Sequence, residues 1–195
     1  FGYILFYNLS YYSKNVLEIF MIWKGGMSFH GGLLGVIFAT YIFSKKNNIK
    51  TFLFLDLISM SAPIGIFLGR IANFINSELY GRKTDLLWSV KFEKIDNIFR
   101  HPSQIYEAIF EGIILFLLLN FIFKKQLYKS PGVISALFLI FYSFFRFFIE
   151  FYRLPDEQLG YLYFDLSLGQ IISLLFFLIG FYLFFKKYEE SKEKK

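Results

Sequence analysis

Apolar residues in this 195-residue chain gather into long blocks separated by short polar breaks. Five blocks, at about 26–43, 52–75, 105–123, 132–152 and 166–185, each approach the ~20 residues that a helix rising 1.5 Å per residue needs to cross a bilayer core. Their apolar positions do not alternate with polar ones, which argues against the strands of a membrane barrel. Residues 1–9 read as the end of an earlier span. The 76–104 connection is too long for a tight turn and predicts a small polar subdomain or lid. Residues 186–195 form a charged, solvated tail. The pattern therefore predicts one transmembrane domain over 1–195: an all-α, polytopic helical bundle with a small outward-facing polar subdomain.

Composition agrees. Hydrophobic residues make up 56% of the chain and charged residues 18%, well below the quarter usual for soluble domains. The formal charge of +6 is carried largely by short lysine clusters, which report topology rather than nucleic-acid binding. Lys45, Lys46 and Lys50, then Lys124, Lys125 and Lys129, then Lys186, Lys187, Lys192, Lys194 and Lys195 fall on one side if the five spans alternate. That side is predicted to be cytoplasmic, which places 76–104 outside and the C-terminus inside. Trp23 and Trp88 lie at or beyond span ends, as interfacial anchors do. The chain opens at Phe1 within the apolar run FGYILFY, without leader or cleavage site, and reads as a piece whose first transmembrane material precedes it. Absence of cysteine excludes disulfides and a protein thiol nucleophile, and His30 and His101 lack metal spacing, so neither a metal nor a cofactor is expected.

Four polar constellations interrupt the apolar blocks. In YSFFRFFIEFYR, read as one helix, Tyr142, Arg146, Glu150 and Arg153 recur at i, i+4, i+8 and i+11 and share a face. The plain reading is a structural Arg146–Glu150 pair. A charge near mid-membrane costs from about 3 to over 10 kcal/mol, however, so such residues usually face a cavity or site. Two arginines against one carboxylate also predict a positive stripe that an anion would complete. In GRIANFINSELYGR, Arg70 and Asn73 lie at i and i+3 on the polar end of the helix with Asn76 a further turn on, and Glu78, Gly81 and Arg82 follow where the helix breaks. Capping explains Asn76 and Ser77 but not Arg70, whose planar fork suits phosphate oxygens.

GGMSFHGGLLG surrounds His30 with small residues that allow close backbone approach, although a packed interfacial histidine is the plainer reading. RHPSQIYEAIFEG starts a helix at Pro102, with His101 just outside it. Its Gln104, Glu107 and Glu111 make a polar stripe for which interhelical hydrogen bonding suffices. Asp56 reads as a cap or a lysine partner. Together these stretches describe a basic, water-accessible pocket in the outer halves of several spans.

At these residues the chain resembles the bacterial prolipoprotein diacylglyceryl transferases. The likeness runs in order through GYILFYN, GGMSFHGG, GRIANFINSELYGR, RHPSQIYE, the Tyr142–Arg153 stretch continuing to LPD, and LSLGQIIS. It departs in lacking the family's first span and the arginine expected immediately before GYILFYN. Without that span the chain alone is expected to have little or no activity. The resemblance implies transfer of diacylglyceryl from phosphatidylglycerol to the lipobox cysteine of a prolipoprotein signal peptide, with a thioether formed and glycerol phosphate released, in the bacterial inner membrane. By the same resemblance His30 would help deprotonate the thiol, and Arg70 and Arg146 would hold the phosphate. Asn73, Asn76 and Tyr142 would orient the headgroup, while Glu78, Glu150 and Arg153 fix the arginines or gate access. Gly81 would permit close approach, with Arg82 and His101 completing the substrate-binding set.

A transporter or flippase for an anionic lipid or phosphate compound would also use buried arginines. It predicts a polar path to the inner side and an internal repeat, whereas the inner halves are apolar and no repeat is visible. A structural assembly factor is a third reading, and it needs neither a lid nor excess positive charge.

Overall fold

The computed structural model describes residues 4, 9–21, 29–125, 130–155, 161–162 and 165–192. Trp23, Lys24, Gly25, Gly26, Lys129, Lys194, Lys195 and most of 1–9 lie outside them, as does the side chain of His30. Contacts divide the chain into two units, 1–54 and 55–195.

In the first unit, a turn of helix α1 (Leu9–Tyr12) precedes a 3-10 turn (Val16–Phe20) and helix α2 (Phe29–Lys46). Asn48 ends the connection after α2 in the left-handed region (φ 54°), which asparagine tolerates better than most residues. The Ile49 amide then returns to the Ser44 carbonyl at 2.9 Å, and the Phe43 and Phe54 rings meet at 5.0 Å.

The second unit contains most of α3 (Thr51–Asn76), then α4 (Ser103–Lys124), α5 (Val133–Ile149) and α6 (Leu168–Lys192). Its core is Leu115 and Leu119 of α4 against Val133, Ile134, Leu137 and Ile140 of α5, flanked by Met60, Phe177 and Phe184. Helix α5 is the central element and packs most extensively on α6. Elsewhere the large apolar side chains point outward: Leu57, Ile64 and Leu68 on α3, Leu117 and Phe121 on α4, Leu174, Leu175 and Leu178 on α6. Helices α3, α4 and α6 are long and apolar enough to cross a membrane, yet only 17% of the apolar window of α6 is buried. Surfaces of that kind are stable in lipid, where helix contact is driven by close packing rather than by escape from water.

Two local devices fix the helix positions. Asp56 on α3 accepts hydrogen bonds from the Gly132 amide (2.7 Å), the Ser135 amide (2.8 Å) and the Ser135 hydroxyl (2.6 Å). A carboxylate from another helix thus caps the orphan donors and positive end of α5, the capping role the sequence allowed for it. The second device is a widened, π-helical stretch in α4, Ala108–Ile114. At its Gly112 an added Cβ would stand 2.7 Å from Phe67 Cβ and 3.0 Å from Phe67 Cα, so only glycine lets α4 approach α3 this closely.

Residues 77–102 form the small polar subdomain. β1 (Val90–Lys91) pairs antiparallel with β2 (Phe99–Arg100), with Val90 opposite Arg100 and Lys91 opposite Phe99. Arg100 grips Asp96 at 2.6 Å across the turn, which holds that carboxyl below its ordinary range. Phe92 is its buried aromatic residue, against the rings of Phe74 and Tyr80. One expectation needs correction. The YSFFRFFIEFYR stretch does not stay helical to Arg153: α5 ends at Ile149 and the chain turns. Beyond the turn, the Tyr152 carbonyl and Leu154 amide are taken by the Arg82 amide (2.9 Å) and the Tyr80 carbonyl (3.3 Å), which leads the chain off the helix axis.

Candidate active site

Arg70 lies one turn beyond Phe67 on α3, and Glu107 and Glu111 lie just before the Gly112 crossing on α4. Close approach there brings the Arg70 Nε within 2.6 Å of Glu107, with its Nη2 4.0 Å from Glu111. From α5, Arg146 sends Nη1 to Glu107 (3.1 Å) and toward Glu111 (3.6 Å), and Nη2 to Glu150 (2.9 Å). Arg153, reached through the turn rather than along a helix face, stands 3.8 Å from Glu150. Two arginines from different helices therefore share one fully buried carboxylate, Glu107.

Charge is balanced here. Arg70, Arg146 and Arg153 face Glu107, Glu111 and Glu150, so the positive excess expected from the Tyr142–Arg153 stripe is cancelled by the neighbouring helix. Burying ions is costly, and removing one partner leaves an uncompensated charge worth about 3–5 kcal/mol. The network is rigid for that reason. Openness is uneven: the Arg70 side chain keeps 18% of its surface exposed, against 10% for Arg146 and 10% for Arg153. Among the described residues none bonds Arg70 Nη1, so its outer edge is free to meet a ligand.

The subdomain docks on this network through backbone pairing. Within the subdomain the Gly81 amide binds the His101 carbonyl (3.0 Å) and the His101 amide binds the Arg82 carbonyl (2.9 Å), and the Arg82 amide then binds the Tyr152 carbonyl beyond α5 (2.9 Å). A Cβ at Gly81 would collide with the His101 carbonyl oxygen and Cβ and with the Tyr152 carbonyl oxygen, so glycine is required where three strands of chain converge. Arg82 then reaches back, Nε to the Arg153 carbonyl (2.9 Å) and Nη2 to the Glu150 carbonyl (3.5 Å), while stacking on Tyr161 at 5.4 Å. Asn73 donates to Glu78 at 2.8 Å. The left-handed Ser77 and Leu79 (φ 62° and 54°) are held by Gln104 on the Glu78 carbonyl (2.6 Å) and Ser103 on the Leu79 carbonyl (3.1 Å).

His101 is not at the ion network. Its Nδ1 lies 3.2 Å from the Tyr106 hydroxyl and its ring contacts Tyr152 at 5.1 Å. Burial and then the nearby Arg82 charge push its pKa below the ordinary histidine value. Tyr142 stacks on Phe138 a turn before Arg146. Asn76 is the exposed last residue of α3 and meets none of these groups. His30 belongs to α2 in the first unit. For Glu107, Glu111 and Gln104 the sequence pattern left interhelical hydrogen bonding and chemistry both open, and it did not single out Ser167 or Gln170. Their signal was present as polar positions inside apolar helices, but their partners were not visible.

A family model for prolipoprotein diacylglyceryl transferase matches residues 1–186. The phosphatidylglycerol–prolipoprotein diacylglyceryl transferase of Rickettsia bellii is 50% identical over 95% of this chain and 71% of its own length. Proteins of the same name from Wolbachia pipientis wMel and Geobacter sulfurreducens are each 49% identical over 92% of this chain, covering 69% and 68% of their own lengths.

Proposed function

The chain belongs to the prolipoprotein diacylglyceryl transferase family, and from that premise we propose how its buried polar network serves the reaction. It is a membrane transferase that moves the diacylglyceryl group of phosphatidylglycerol onto a prolipoprotein. The acceptor is the lipobox cysteine of the signal peptide. Its sulfur attacks the glyceryl carbon, the carbon–oxygen bond to phosphate breaks, a thioether forms, and glycerol phosphate leaves.

The observation that carries this reading is the meeting of Arg70 and Arg146 at Glu107 (2.6 and 3.1 Å). Carboxylates lock the inner faces of both guanidinium groups and so aim the remaining donors before any ligand arrives. Donors aimed in advance at charge that grows in the transition state are the strongest single catalytic device. The open edge of Arg70 takes the phosphate oxygens, with Arg146 behind it. Asn73, Glu78 and Tyr142 line the headgroup, Asn76 contacts its outer edge, and Gly81, Arg82 and His101 hold the subdomain over it. His30 accepts the thiol proton. The site faces the outer side of the bacterial inner membrane and the C-terminal tail faces the cytoplasm. The five predicted helices cross that membrane, and 76–104 covers the site as a lid. A transporter reading finds no support in the relatives named above, which are transferases.

The test uses the full-length gene product in liposomes with phosphatidylglycerol and a lipobox peptide. Glycerol phosphate should be released only when the peptide has its cysteine, and Arg70→Ala or Arg146→Ala in a folded protein should abolish release. Cysteine-independent release, or movement of labelled lipid between leaflets without release, would refute the assignment.

A further inference from the structure

The network of Arg146 and Arg153 depends on Glu150, and Glu150 is seated on the start of α6, a turn that carries none of the arginines or carboxylates of the network. Ser167 and Gln170 form a reciprocal capping box there. The Ser167 amide donates to Gln170 Oε1 (3.0 Å), and the Gln170 amide donates to Ser167 Oγ (3.2 Å). The Ser167 hydroxyl then donates to Glu150 Oε1 at 3.1 Å. All three residues are buried, at 2%, 1% and 5% exposure for Ser167, Gln170 and Glu150.

Gly169 shapes the seat. An added Cβ would stand 2.8 Å from Glu150 Oε1, 2.9 Å from its Cδ and 3.1 Å from Oε2. The carboxylate thus lies flat against the first turn of a 25-residue helix, where orphan amides and the macrodipole favour negative charge. Its opposite side takes Arg146 Nη2 at 2.9 Å, with Arg153 at 3.8 Å. A carboxylate clamped on one side transmits its position to the guanidinium on the other.

We propose that the Ser167–Gly169–Gln170 turn is a positioning element: it sets Glu150, and through it the guanidinium of Arg146, for the transfer step. The three residues touch no substrate. This rests on the transferase reading above and deepens it.

Gly169→Ala tests positioning directly. The Cβ would press on the Glu150 carboxylate and force it to shift within its ion pairs, so thermal unfolding is read beside turnover to keep any folding cost separate from the catalytic one. Because Arg146 acts on charge that develops in the transition state, the loss should fall on kcat and not on KM.

The experiment measures cysteine-dependent glycerol phosphate release by the full-length protein in liposomes at varied phosphatidylglycerol, with thermal unfolding in parallel. Gly169→Ala and Ser167→Ala should each lower kcat about tenfold, with KM within about twofold and both variants folded at the assay temperature. Ser167→Thr, which keeps the hydroxyl, should retain at least about half of wild-type kcat. Gly169→Ala at wild-type kcat, a loss confined to KM, or Ser167→Thr as poor as Ser167→Ala would overturn the proposal. No release by the wild-type protein is a different failure: the transferase reading falls, and this inference with it.

Discussion

Replacing Arg146 by lysine keeps the charge and removes the fork. In the structure Nη1 serves Glu107 at 3.1 Å and leans toward Glu111 at 3.6 Å, while Nη2 serves Glu150 at 2.9 Å. One ammonium at the end of a lysine stem can hold the α4 carboxylates or Glu150, not both. The loss is at least one charge-assisted hydrogen bond, about 1.5–3 kcal/mol. It approaches about 3–5 kcal/mol if the abandoned carboxylate stays buried and unpaired. Where the lost bond acts in the transition state, 2–3 kcal/mol corresponds to a rate loss of about 30- to 150-fold. The assay pairs thermal unfolding in detergent with glycerol phosphate release in liposomes, so that a folding defect is read separately from a catalytic one. Arg146→Lys should unfold earlier and turn over at a few per cent of wild type. Turnover within about threefold at an unchanged unfolding temperature would refute the reasoning, because a single point charge would then suffice.

The two α4 carboxylates should respond differently to neutralisation. Glu107→Gln breaks contacts of 2.6 and 3.1 Å and should cost about 3 kcal/mol, whereas Glu111→Gln, at 3.6 and 4.0 Å from the nearest arginine nitrogens, should cost measurably less. Equal unfolding temperatures for the two variants would contradict this. Asp56→Ala removes three hydrogen bonds from the start of α5 and should cost about 2 kcal/mol, read as an earlier unfolding midpoint. Gly112→Ala forces α4 off the Phe67 backbone and should cost about 1–3 kcal/mol together with activity, since Arg70 moves away from Glu107. His101 is held below its ordinary pKa, chiefly by burial and then by Arg82, so the fold favours its neutral form. Its contribution is complete above the unfolded value near 6.5 and is lost as pH falls through the lower folded value. Protease sensitivity of the 77–102 segment should rise as pH drops from 7 to 5, and His101→Gln should flatten that rise.

Much of this was legible from the chain as a string. Block length and hydropathy determine the helices, because a segment surrounded by lipid must satisfy its own backbone hydrogen bonds. Arg70, Glu150 and Arg153 could be picked out as costly charges in oily surroundings, and Gly81 as a point of close approach. Partnership was not legible. Glu107 and Glu111 read as ordinary polar positions on α4, and only the crossing at Gly112 against Phe67 places them between Arg70 and Arg146, turning an apparent positive stripe into a balanced network. Arg153 reaches Glu150 through a turn fixed by pairing with Tyr80 and Arg82, where the helical repeat had suggested a shared face. The difference has one physical cause. Desolvation is a property of each residue in its own stretch of sequence, whereas the charge that offsets it comes from whichever helix packs alongside, and that choice is made by shape in three dimensions.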